Sequence, residues 1–99
     1  MTKASVVGPV LIADATGRSI AQVIVHTNPG ATLIDRGSYL RVSVPERCVL
    51  TCHAIRTELG QPFKLPEDLE RIMPAFSGSL TITDEEVLWQ SPLQSAAKA

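Results

Sequence analysis

Val6-Val7-Gly8-Pro9-Val10-Leu11-Ile12, together with Ile20, Ala21, Val23 and Ile24 shortly after it, is the stretch on which the fold turns. The first seven residues are mostly β-branched or aliphatic and bounded by polar ones, so they read as a strand. Pro9 cannot donate to a ladder and is expected at a sheet edge or a bulge. The next apolar residues recur at i, i+3 and i+4, the spacing of a helix that buries one face. Asp14 or Thr16 can cap that helix by accepting a hydrogen bond from a first-turn amide. Asn28-Pro29-Gly30 ends it, because Pro29 disfavours helical geometry at the residue before it.

Outward from this stretch, Ala31 to Asp35 and Tyr39 to Val44 read as two strands around a turn at Arg36-Gly37-Ser38. The second of them alternates Leu40, Val42 and Val44 with Tyr39, Arg41 and Ser43. Cys48-Val49-Leu50 is a further short strand. Thr51 then caps a second helix, with Leu50 and Ile55 placed as a hydrophobic staple and Cys52, Ile55 and Leu59 on the apolar side. Gly60 stands where a left-handed terminal residue belongs. Pro62 to Pro66 is a loop, and Leu69 to Met73 suits a helical turn or a strand equally. Leu80 to Thr83 and Val87 to Trp89 form a hairpin through Asp84-Glu85-Glu86.

The resulting class is α+β: a β-α-β-β unit followed by a β-α-β-β-β-like unit, two related subdomains whose sheets and two main helices share one core. The expected domain runs from 6 to 90, with subdomains of about 6–45 and 46–90. A short N-terminal tail (1–5) precedes it, and 91–99 is expected to be a disordered C-terminal tail.

Length and composition narrow the functional classes. A chain of 99 residues that is 44% hydrophobic and 19% charged is an ordinary single globular domain. Its net charge of −1 argues against a nucleic-acid binder, whose affinity depends on clustered Lys and Arg. That average conceals a polarity: residues 1–57 hold six basic against three acidic residues, while residues 58–99 hold three against seven. Such a bipolar surface can orient a protein on a partner. No apolar run approaches the length that crosses a bilayer, and the N-terminus has no signal-peptide character, so the expected location is cytoplasmic, with Cys48 and Cys52 as buried free thiols.

The motifs of catalysis and cofactor binding are missing. The six glycines lack the close spacing of a phosphate-cradling loop. Ser77-Gly78-Ser79 lacks the second glycine of a nucleophile elbow and a nearby histidine. His26, Cys48, Cys52 and His53 match zinc in number, but adjacent Cys52 and His53 diverge by about 100° on a helix. No Glu has a His three positions on, as a carboxylate-bridged di-iron bundle would need. The carboxylate pairs Glu67/Glu70 and Glu85/Glu86 lie in polar turns, without the burial that would tune one as an acid. Trp89 reads as a core residue ending the last strand. The residues therefore describe a cofactor-free domain with no catalytic or metal site, an interaction module.

Several segments carry a resemblance: Val7-Gly8-Pro9-Val10, Asn28-Pro29-Gly30, Asp35-Arg36 with Tyr39-x-Arg41-Val42, Glu58-Leu59-Gly60-Gln61-Pro62-Phe63, and Phe76-Ser77-Gly78. In their order and spacing, over about residues 6 to 90, the chain resembles the effector (coupling, or regulatory) proteins of bacterial soluble di-iron monooxygenases, closest to the toluene/alkene branch. The resemblance favours a strand over Leu69 to Met73. It implies a component without a redox centre that binds the α-subunit of a di-iron hydroxylase oligomer above its active site. That component would couple NADH-driven O2 activation to hydrocarbon hydroxylation or epoxidation, in a system that also holds a reductase and a Rieske-type ferredoxin. Pro74-Ala75-Phe76-Ser77-Gly78 would face the hydroxylase, with Asn28, Pro29 and Gly30 and the patch Arg36, Tyr39 and Arg41 as further contacts. Each has a plainer reading: Phe76 in the core, Gly78 permitting a turn, Asn28-Pro29-Gly30 stopping a helix, and the Arg/Tyr patch an exposed sheet face. A small-molecule-sensing or assembly adaptor of the same fold is the alternative function.

Overall fold

The computed structural model describes residues 6–91. The expected N-terminal tail and residues 92–99 of the expected C-terminal tail lie outside them. Ser91 does not belong to a tail: it is buried, and its amide donates to the Glu46 carbonyl at 2.8 Å.

The elements run β1 (Val6–Ile12), α1 (Ala15–Thr27), β2 (Thr32–Asp35), β3 (Tyr39–Pro45), β4 (Arg47–Thr51), α2 (Cys52–Leu59), α3 (Glu67–Glu70), β5 (Ala75–Ser77), β6 (Ser79–Ile82) and β7 (Glu86–Gln90). This is the α+β class expected. The strands form two antiparallel sheets, a four-stranded one in the order β2-β3-β1-β5 and a three-stranded one in the order β4-β7-β6. Because β5 pairs with β1, the first sheet draws on both halves of the chain.

Pro9 departs from expectation, since β1 lies inside its sheet between β3 and β5. The β1–β3 pairing Val7↔Val44 resumes at Val10↔Arg41 in the same register, so no residue is inserted and there is no bulge. The proline falls in the gap between these β1–β3 pairs and opposes Phe76 of β5 on the other side. Leu69 to Met73 is the second departure, because no strand forms there. Amide donation from Asp68 to the Lys64 carbonyl and from Glu70 to the Pro66 carbonyl winds a helical turn. The Asp68 carboxylate accepts from the Lys64 amide at 2.8 Å, and Pro74 delays the strand until Ala75.

The caps are local and legible. The Asp14 carboxylate, not Thr16, accepts from the Gly17 amide at 2.7 Å. The Thr51 hydroxyl accepts from the Ala54 amide at 3.1 Å, and Gly60 closes α2 in the left-handed region at φ 68°. Both staple residues, Leu50 and Ile55, are fully buried.

One core joins the two sheets. Ile20, Ala21 and Ile24 of α1 bury with Leu11, Leu40 and Val42 of the first sheet and with Leu50, Ile55, Val87 and Trp89 beyond it. Asn28, the C-cap of α1, fastens the helix to the second sheet. Its side-chain amide donates to the carbonyls of Ile24 (3.0 Å) and Val49 (2.9 Å), and its Oδ1 accepts from the Val49 amide at 2.9 Å. The side chain thus pairs with the β4 backbone as another strand would. Removing it leaves both part-buried Val49 groups without that partner, at roughly 1 kcal/mol each. Asn28→Ala is therefore expected to cost about 2 kcal/mol or more, lowering Tm by roughly 8–16 °C in a domain of this size. A thermal melt checks this, and an unchanged Tm contradicts it.

Candidate functional site

The candidate residues divide by where the fold puts them. Asn28 is 6% exposed and fully engaged inside the molecule, so it leaves the docking surface and takes the helix-ending role instead. Pro29 and Gly30 beside it remain exposed. Gly78 is also explained by the backbone. It carries the chain from β5 to β6 at φ 100°, and a Cβ there would lie 2.7 Å from Val7 Cγ1 and 2.9 Å from the Gln90 carbonyl oxygen. Only glycine fits that crossing between the sheets.

Phe76 is not in the core. It lies on the edge strand β5 opposite Pro9, 42% exposed, between exposed Ala75 and half-buried Ser77, with Pro74 exposed before them. Arg36, Tyr39 and Arg41 are exposed as well. The amide of Arg36 donates to the Tyr39 carbonyl at 2.9 Å, closing the β2–β3 hairpin. Asp35 braces the same hairpin: its carboxylate accepts from the Gly37 amide at 2.8 Å and pairs with Arg18 of α1 at 3.0 Å. The Gly37 bond first, and the Arg18 guanidinium second, hold its pKa below the usual carboxylate range.

Register brings some of these residues onto one surface. Ile34 opposes Arg41, Arg41 opposes Val10 and Val10 opposes Ala75, a single row across all four strands. Ile12 opposes Tyr39 in the next row. Directly opposed residues share a face, and this face is turned away from the buried one that carries Leu11, Leu40 and Val42. Ile12 (40% exposed) and Ile34 (42%) are contributors that motif reading misses. The available signal was the unbroken apolar character of β1 and of Leu33-Ile34, which puts apolar side chains on both faces of a sheet.

The ligand-type side chains do not converge. Among the described residues no group of three or more His, Cys, Asp or Glu could hold a metal ion. Cys48 and Cys52 are buried free thiols, whereas His26 and His53 are exposed. Cys52 Sγ donates to the Phe63 carbonyl at 3.1 Å. Glu67, Glu70, Glu85 and Glu86 are exposed. The last two, with Asp84, line an open cleft of about 520 Å³ beside His53 and Arg56 at the start of α2. Among the described residues, no helix is long and apolar enough to cross a membrane.

Fold and surface together define a small α+β binding domain. Residues 5–90 match the MmoB/DmpM family, and the chain belongs to it. It is 32% identical over 87 residues to the alkene monooxygenase system effector subunit of Xanthobacter autotrophicus (strain ATCC BAA-1158 / Py2), covering 86% of this chain and 85% of that one. Its fold is similar to a chain in the phenol hydroxylase–regulatory protein complex, with a TM-score of 0.79 and 17% identity, over 87% of this chain and 98% of the other. It is also similar to the soluble methane monooxygenase regulatory protein B, with a TM-score of 0.70 and 19% identity, over 95% and 70%. The family's members are effector and regulatory components of monooxygenase systems, not their catalytic subunits.

The buried thiols bear on chemistry too. Burial pushes the Cys48 pKa up to about 12 from 9.0, which keeps the thiol protonated and un-nucleophilic. Because the folded value is the raised one, the stabilisation is complete below pH 9.0 and is lost as pH rises toward about 12. Native protein at pH 8 is expected to leave Cys48 unlabelled by a thiol reagent until urea unfolds the chain. Rapid native labelling of Cys48, read by mass spectrometry, contradicts this.

Proposed function

We propose that this protein is the effector component of a bacterial multicomponent monooxygenase, docking on the di-iron hydroxylase above its active site and coupling NADH-driven O2 activation to hydrocarbon oxygenation. The observation that carries this reading is the match to the MmoB/DmpM family over residues 5–90. The relatives named above, an effector subunit and a regulatory protein in complex with a hydroxylase, support it. The reductase and a Rieske-type ferredoxin complete the system, in the cytoplasm.

A chain without a redox group can alter turnover only by binding one conformation of its partner better than another. A tenfold shift between two hydroxylase conformations requires about 1.4 kcal/mol of differential binding. A few well-placed side chains supply that much. Phe76 is the first of them, since an aromatic side chain exposed on an edge strand contributes little to its own fold and much to a surface it meets. Pro74, Ala75 and Ser77 flank it, while Tyr39, Arg41 and Arg36 bring the mix of aromatic and arginine side chains enriched at interfaces.

Titration of the protein into hydroxylase, reductase and ferredoxin, with product counted per NADH consumed, tests the reading. Coupling is expected to rise and saturate near one effector per active site, and no change up to stoichiometric excess refutes the role. Phe76→Ala is expected to lower product per NADH several-fold while shifting Tm by less than about 4 °C, the equivalent of 1 kcal/mol or less. A large fall in Tm with coupling intact contradicts the assignment of Phe76.

A further inference from the structure

We infer that the protein seats on the hydroxylase through the open outer face of its four-stranded sheet, with Arg41 at the centre pairing with a hydroxylase carboxylate inside an otherwise apolar contact. The inference rests on the effector reading and adds to it the surface and the chemistry of its complement.

Alternation along β3 sets the face apart. Leu40, Val42 and Val44 point into the core beneath α1, whereas the alternating Tyr39, Arg41 and Pro45 are exposed and Ser43 is half-buried. Among the described residues no element covers this outer side, and Ile12, Ile34, Tyr39 and Val6 are 40–54% exposed. A sheet ordinarily buries one apolar face and presents a polar one to water. Here the solvent side is apolar as well, as expected of an interaction patch.

Charge says what kind of surface covers it. Arg41 stands in the row Ile34-Arg41-Val10-Ala75, and none of the strand residues sharing that face is a carboxylate. Asp35 pairs with Arg18 of α1, and it opposes Leu40, so it belongs to the α1 side of the sheet. Among the described strand residues no carboxylate shares this face with Arg41, which Ile34 and Val10 flank in its own row and Thr32, Ser43 and Ser77 adjoin in the next. A second copy of this chain is a poor complement, because a two-fold contact through the patch centre sets Arg41 against Arg41 with no acid to offset them. An apolar surface carrying a carboxylate fits. The patch is also continuous with Ala75 and Ser77 of β5, whereas Phe76 between them opposes buried Pro9 and faces the α1 side of the sheet.

Affinity for the purified hydroxylase, measured by calorimetry at two salt concentrations and paired with sedimentation of the effector alone, tests this. Wild type is expected to bind with an affinity that falls as salt rises. Arg41→Glu and Ile34→Asp are each expected to weaken binding at least tenfold, Arg41→Gln to reduce the salt dependence, and Glu58→Ala on α2 to change neither. Melting curves keep folding apart from binding, and Ile34→Ser replaces the aspartate if that variant unfolds. Wild type that binds while Arg41 and Ile34 variants bind within twofold of it overturns the inference and leaves the effector reading standing. Wild type that does not bind overturns both. Variants that abolish self-association yet bind the hydroxylase normally assign the face to a second copy instead.

Discussion

Two helices of useful length must serve two sheets in this chain, and that shortage shapes the molecule. α1 supplies Ile20, Ala21, Val23 and Ile24 to one face of the β2-β3-β1-β5 sheet, and α2 supplies Cys52 and Ile55 to the core behind β4. With both helices committed to the shared core, no element among the described residues covers the outer face of the first sheet. Its apolar side chains stay in water at a cost in solubility that a free-standing domain has no reason to bear.

The halves are tied by few but specific links. The Asn28 side chain substitutes for a strand neighbour of Val49, the Ser91 amide holds the Glu46 carbonyl, and Gly78 passes between Val7 and the Gln90 carbonyl. These links hold the β3–β4 and β5–β6 crossings next to each other, so β5, and Phe76 on it, is held where β1 and β7 dictate. A side chain held in this way loses less ordering entropy in any contact it makes.

Most of the fold was legible because its determinants are local. Helix periodicity, the Thr51 and Gly60 caps, the β2–β3 hairpin and the last hairpin depend on residues within a few positions of each other. What was not legible depends on distant partners. Pro9 reads as an edge residue until β5, more than sixty positions later, turns out to pair beside it. Leu69 to Met73 is ambiguous until the Asp68 carboxylate is seen capping the Lys64 amide. At the candidate site, Phe76, Tyr39 and Arg41 are exposed, whereas Asn28 is buried because its partner Val49 lies on another strand, which its local spacing does not reveal. Ile12 and Ile34 were missed because an aliphatic residue in a strand reads as core, and only sheet order reveals which face lacks cover.

The central claim is that the bare sheet face is the working surface. The most direct measurement is an NMR titration of isotope-labelled protein with unlabelled hydroxylase, following backbone and methyl signals. The account predicts that the first residues to shift or broaden are Val10, Ile12, Ile34, Tyr39, Arg41 and Ala75. Perturbations confined to the β4-β7-β6 sheet and the cleft at the start of α2, with the outer face of β1 and β3 unaffected, would contradict it.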